Sequence, residues 1–189
     1  MTFNESDEEI IASYVAGEQE KFKELIERYA PILYNFVARM TNKSDASDIL
    51  QEVFIKTWKN IKTFDSSKAS FKTWIFSIAK NATTDFLRKR KTPVFSGMAK
   101  DTGKEENYFA ENISDEDLLP DEALGRLEDE KHLNLLLSRL NPNYLEVLLL
   151  HYQEEMTFEE IGKILGKSLN TVKSQHRRAL LELRKMLRP

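Results

Sequence analysis

Gly162, Gly166 and Val172 constrain this chain more than any other feature of it. A helix-turn-helix needs a small residue inside its first helix where the second crosses closely, a residue tolerant of positive φ four places on, and an apolar anchor six further. The stretch from 157 to 183 meets all three requirements, and Ile161, Leu165 and Leu169 complete an apolar lining between two short helices. Thr157, with Glu160 three residues later, predicts a capping box at the start of the first helix. From about Asn170 the second helix is expected to expose Thr171, Lys173, Ser174, Gln175, Arg177 and Arg178 while Val172, Ala179, Leu180 and Leu183 turn inward. Recognition helices read major-groove base edges from their N-terminal residues, and Arg, Lys, Gln and Asn carry the donors and acceptors required. The alternative is an ordinary helical hairpin with a solvated basic face. His176 falls at an inward edge one turn after Val172 and is expected to be a partly buried packing residue.

The rest of the chain is patterned for helices, with no strand-like alternation to compete. Ser6 precedes Asp7, Glu8 and Glu9, an N-cap followed by acids where the helix dipole favours them. Gly17 ends that helix, and a second runs from near Glu18 to Met40 with Pro31 as a kink or restart. A third, starting at Ser44 or Asp45, carries Ala46, Ile49, Leu50, Val53, Phe54, Trp58 and Ile61 as an apolar stripe, with Asp48, Gln51, Glu52, Lys56 and Lys59 opposite. After a polar loop over 65–70, Ser70 caps a fourth that places Phe71, Trp74, Ile75, Ile78 and Ala79 inward and finishes in Arg88-Lys89-Arg90-Lys91. Both tryptophans, Trp58 and Trp74, are expected in the core. A second helical block opens near Asp121 and breaks at Asn141-Pro142. The fold class is therefore all-α: two helical domains joined by a flexible acidic linker, with boundaries at 1–92, 93–122 and 123–189.

Charge supports that division. The 189-residue chain has 28 basic and 31 acidic groups, a near-balance that argues against nucleic acid until it is resolved by segment. Residues 31–100 carry a net plus 8, 101–130 a net minus 10, and 163–189 a net plus 7. Two basic blocks flank an acidic tether, the footprint of a chain that meets DNA at two places. With no cysteine and three scattered histidines, thiol nucleophiles and thiolate metal clusters are excluded, and no metal or cofactor is expected. No run of about 18 apolar residues is present, and the acidic start lacks the basic head of a signal peptide, so a cytoplasmic protein without membrane insertion is expected.

Three stretches resemble a known family: 45–54 (Asp-Ala-Ser-Asp-Ile-Leu-Gln-Glu-Val-Phe), 71–81 with Asp85 and Arg88-Lys89-Arg90, and 156–179. In that order and spacing the sequence is similar to the extracytoplasmic-function sigma factors of the sigma-70 family, two-domain factors of bacterial transcription initiation. The resemblance implies a sigma-two domain first and a sigma-four domain second. It implies docking of Asp48, Gln51 and Glu52 on the clamp helices of the polymerase beta-prime subunit, an acid, amide and acid patch able to accept hydrogen bonds from a basic coiled coil. The segment 65–81 resembles the family's minus-ten recognition and melting element. Strand separation needs a pocket for an unstacked base, an aromatic wall and positive charge for the backbone. Lys68, Ser70, Phe71, Lys72, Asn81 and Arg88 are the minus-ten candidates, with Lys80 and the basic run to Lys91 as further phosphate contacts.

Asn170, Thr171, Lys173, Ser174, Gln175, Arg177 and Arg178 are the minus-thirty-five candidates. The family commonly has Arg and an aliphatic residue where this chain has Gln175-His176, a change that bears on base preference because Gln suits adenine where Arg suits guanine. The partners implied are core RNA polymerase, through the beta-prime clamp helices and beta flap, promoter DNA, and a dedicated anti-sigma factor. The main rival is an autonomous helix-turn-helix regulator that dimerises on a palindrome. An enzyme that uses the basic helices only to hold its substrate is a second, and no paired carboxylates in an apolar setting or phosphate loop supports it.

Overall fold

A computed structural model describes residues 5–90 and 130–187. The proposed linker, the helix opening at Asp121 and the end of the basic run at Lys91 lie outside the described residues. Within them, helices α1 (Asp7–Ala16), α2 (Lys21–Met40), α3 (Lys43–Asn60) and α4 (Phe71–Arg90) form the first block, with a 3₁₀ turn, Ile61–Thr63, after α3. The second block comprises α5 (Glu130–Ser138), α6 (Pro142–Leu148), a π-helical turn Leu149–Gln153, α7 (Phe158–Leu165) and α8 (Leu169–Leu187).

Local chemistry sets most of the boundaries. Ser6 and Glu9 form a reciprocal capping box on α1, and Gly17 closes that helix at φ 119, in the region open to glycine. Helix α2 begins at Lys21, three residues later than the apolar pattern suggested, and runs through Pro31 unbroken. Asn42 caps α3, its side chain accepting from the Asp45 backbone N–H. Ser70 caps α4 through the Thr73 N–H, 3.2 Å away. Asn141 caps α6 with Pro142 at the first helical position, where its missing N–H costs nothing.

The first core joins Leu25, Leu33, Phe36 and Val37 of α2 to Ile49 and Val53 of α3 and Ile75, Phe76 and Ala79 of α4. Asp7 pairs with Arg28 and accepts a hydrogen bond from the Tyr29 hydroxyl, which fastens α1 across α2. The same buried cluster continues into the second block through Leu148 and Leu150 to Ile161, Leu165, Val172, Ala179 and Leu183. The two blocks touch: α4 packs along α7, and Arg39 of α2 donates to the Asn134 side-chain oxygen of α5 at 2.8 Å.

Candidate nucleic-acid interface

The helix-turn-helix takes its shape from the two glycines. Gly166 closes α7 at φ 66, a left-handed conformation with nothing nearby to crowd a side chain. Gly162 is required for a different reason: a Cβ there would stand 2.9 Å from the Lys167 backbone carbonyl, while the nearest atom of α8, on Val172, is 4.0 Å away. The close approach is therefore made by the turn itself and only loosely by the second helix. Thr157 and Glu160 form the expected capping box, and the Thr157 N–H holds the Glu160 carboxyl below its ordinary range. Ser168 caps α8 through the Thr171 N–H at 3.2 Å, with the two hydroxyls 2.9 Å apart, so the Thr171 hydroxyl already serves the helix start.

Along α8, Asn170 and Lys173 are exposed and Ser174 and Arg177 half-buried, at the three- and four-residue steps that define one helix face. Arg178 is half-buried beside them. Gln175 is not on that face. It is 6% exposed, and Lys167 donates to its side-chain oxygen at 3.1 Å. Val172, Gln175 and Ala179 all lie on the buried side of α8, so Gln175 is corrected from a base contact to a support of the turn. His176 is half-buried as expected, its ring stacked with Tyr152 and its Nε2 3.1 Å from the Tyr152 hydroxyl, with His151 and Phe158 completing the cluster.

In the first block, Asp65 shapes the loop before α4. Its carboxylate accepts from the Ser67 hydroxyl at 2.7 Å and backbone N–H at 3.0 Å and pairs with Lys68 at 3.1 Å, bonds that hold its pKa down. Phe71 is fully buried on the inward side of its helix, as the apolar spacing places it, edge-on to Tyr29 and Phe64 and tilted against Trp74, so in this arrangement its ring is part of the core. Trp74 packs half-buried on Phe64 and Phe71 as expected. The remaining minus-ten candidates divide into two groups. Lys68, Ser70 and Lys72 stand at the head of α4 beside the second block, whereas Asn81 and Arg88 are exposed two turns apart farther along, about 10 Å at 1.5 Å per residue. Arg88 pairs with Asp85 at 3.0 Å.

Helix α3 holds the other surface. Asp48 and Gln51 are exposed, and Glu52 is half-buried and paired with Lys56 at 2.7 Å. Trp58 is 55% exposed and Ile55 52%, against the expectation that Trp58 would pack inside. The buried stripe steps from Ala46 to Ile49, Val53 and Thr57, and Trp58 falls one residue past it, about 100° further round the helix. The sequence pattern missed this because Trp58 is apolar and adjacent to the stripe; the three- and four-residue count from Asp48 through Gln51 and Ile55 would have found it. An acidic patch thus continues into an exposed apolar one on a single face.

Residues 25–92 match the family model Sigma-70 region 2, and residues 136–185 match Sigma-70, region 4. The ECF RNA polymerase sigma factor SigW of Bacillus subtilis (strain 168) is 35% identical over 173 residues, which span 91% of this chain and 91% of that protein. The chain belongs to the extracytoplasmic-function sigma factors. SigX of the same organism is 30% identical over 88% of this chain and 84% of its own. Two solved structures share the fold at 21% identity: CnrH in complex with the cytosolic domain of CnrY (TM-score 0.67, covering 97% of both chains), and the sigma factor RpoE in complex with the anti-sigma factor NepR from Bartonella quintana (TM-score 0.64, covering 89% and 97%). For this sigma factor, α2 to α4 carry the region 2 match, which begins after α1, and the end of α5 through α8 carries the region 4 match. Among the described residues no helix is long and apolar enough to cross a membrane.

Proposed function

We propose that this sigma factor is a non-catalytic, cytoplasmic promoter-specificity subunit that binds core RNA polymerase, contacts both promoter elements and assists strand opening. The observation that carries the reading is the occurrence of the region 2 and region 4 matches in order in one chain, with a relative similar along nearly its whole length. The proposed division is a sigma-two domain over 1–92, an acidic linker over 93–122 and a sigma-four domain over 123–189. Asp48, Gln51 and Glu52 dock on the beta-prime clamp helices, and exposed Ile55 and Trp58 extend that face with apolar area suited to a helical partner. The beta flap is the second polymerase contact, made by the sigma-four domain.

Lys68, Ser70, Lys72, Asn81 and Arg88 meet the opened minus-ten strand, where basic groups hold the backbone and an amide can read a base edge. Asn170, Lys173, Ser174, Arg177 and Arg178 meet the minus-thirty-five duplex, with Thr171 fixing the helix start that points at it. Neither basic surface need bind tightly alone, because polymerase joins them at high effective concentration. An anti-sigma factor as regulator is supported by the two solved relatives, each complexed with a partner chain.

The test is to add the purified chain to core polymerase with fragmented genomic DNA and to map transcript starts. Promoter-specific starts are expected. Their absence, together with protection of palindromic sites by the chain alone, would turn the reading to an autonomous regulator.

A further inference from the structure

Lys167, in the turn between α7 and α8, is bonded to three helices at once. Its backbone N–H donates to the Gly162 carbonyl of α7 at 3.0 Å, and its own carbonyl is the atom that leaves no room for a Cβ at Gly162. Its Nζ donates to the Asn143 side-chain oxygen of α6 at 3.2 Å and to the Gln175 side-chain oxygen of α8 at 3.1 Å. Asn143 is held in turn, its backbone N–H donating to the Asn141 side chain that caps α6.

A lysine in the turn of a DNA-binding motif would ordinarily be counted as a phosphate contact. This one is turned the other way. It is half-buried, and its partner Gln175 lies on the buried side of α8. Glu146, one turn after Asn143 on α6, is half-buried too; burial pushes its carboxyl above the ordinary range, and the charges of Lys80 and Lys167 oppose that rise. The ammonium is thus committed to oxygens of the protein, and a charged donor makes the stronger kind of hydrogen bond to a side-chain oxygen.

Gln175 shares a rigid helix with the residues assigned to DNA. Lys173, Ser174 and Arg177 lie within two residues of it, and Asn170 stands five residues before it, about 7.5 Å along the axis at 1.5 Å per residue. A tilt of about 10° at Gln175 therefore moves Asn170 by about 1.3 Å, more than the roughly 0.5 Å within which a binding constellation must be held.

We propose that Lys167 is a positioning residue for duplex readout: its ammonium, shared between Asn143 and Gln175, sets the angle at which α8 meets the minus-thirty-five element without itself touching DNA. This role rests on the assignment of α8 to that element. Asn143 ties the ammonium to α6, the turn ties the lysine to α7, and Gln175 passes the constraint to α8. Sequence discrimination then depends on a contact on the opposite side of the helix from the bases.

The chain assembled with core polymerase is titrated, by fluorescence anisotropy at several salt concentrations, with two labelled duplexes: a promoter located by transcript mapping, and the same promoter with its minus-thirty-five element scrambled. Lys167→Met is expected to weaken binding of the first on the order of tenfold, to leave the second within about twofold, and to keep the salt slope. Gln175→Met, which removes the acceptor and keeps the charge, is expected to give the same pattern, and the double variant no more loss than either alone, because both break one link. A salt slope lowered by about one in Lys167→Met, with both duplexes weakened alike, makes Lys167 a phosphate ligand and overturns the proposal. A lowered melting temperature with unchanged discrimination between the duplexes, measured well below that temperature, reduces the contact to a structural tie and overturns it too. Lys173→Ala separates this role from the assignment beneath it. Loss with Lys173→Ala and none with Lys167→Met overturns the positioning role alone, whereas loss with neither overturns the assignment of α8 to DNA.

Discussion

Replacing Gln175 by Met separates a base contact from a support of the fold. The side chain is buried at 6% exposure and accepts from Lys167 at 3.1 Å, and the same ammonium lies 3.2 Å from the Asn143 side-chain oxygen. A hydrogen bond from a charged donor contributes about 1.5–3 kcal/mol, and the Asn143 contact and the half-exposed position of Lys167 bring the expected loss to about 1–2 kcal/mol. Met fills nearly the same volume and adapts its shape, so no large cavity term is added. For a chain of this size the melting temperature should fall by about 2–8 °C. Differential scanning fluorimetry supplies that number, and transcription from a library randomised at the minus-thirty-five element supplies base preference. The expected result is lower stability with an unchanged preferred sequence. A changed preference at undiminished stability would refute the argument and return Gln175 to the DNA face.

Several further perturbations have definite expected outcomes. Asp48→Lys combined with Trp58→Ser should weaken association with core polymerase at least tenfold, by size-exclusion or fluorescence titration, and leave the melting temperature within about 2 °C, because both side chains are exposed. Lys173→Ala should weaken binding of the polymerase-bound chain to promoter duplex uniformly across sequences and lower the salt slope by about one, measured by titration at several ionic strengths. Gly162→Ala should destabilise by about 1–2 kcal/mol despite the helix propensity of alanine, because its methyl meets a backbone carbonyl at 2.9 Å; Gly166→Ala should cost about 1–2 kcal/mol through φ alone. Glu160, whose ordinary value is 4.5, has a lower one in the folded chain, chiefly because the Thr157 N–H donates to it. The unfolded chain thus takes up that proton first as pH falls. The contribution of the cap is present above about 4.5 and fades below it, and Glu160→Gln should remove that part of the acid sensitivity in pH-dependent denaturation.

What could be read from the sequence was what depends on near neighbours. The N-cap at Ser6, the capping box at Thr157 and the left-handed closure at Gly166 each involve residues within one turn, and each is found where the spacing places it. The errors arise where the third dimension decides. Gln175 reads as polar and therefore outward, yet the buried arc of α8 passes through it and Lys167 supplies a partner. Trp58 reads as core because it is aromatic, and one residue of phase places it in solvent. The contacts of Lys72 with Glu154 join residues 82 positions apart, a separation that periodicity does not address.

The exposure of Trp58 also gives the protein an optical property. Of its two tryptophans, one stands on an open helix face and the other packs against two phenylalanines, so their emission should differ in colour and in access to a dissolved quencher. A surface assigned to docking is therefore already labelled. Iodide should dim the α3 indole in the free chain far more than the one on α4, and shielding of that indole would follow assembly without any dye.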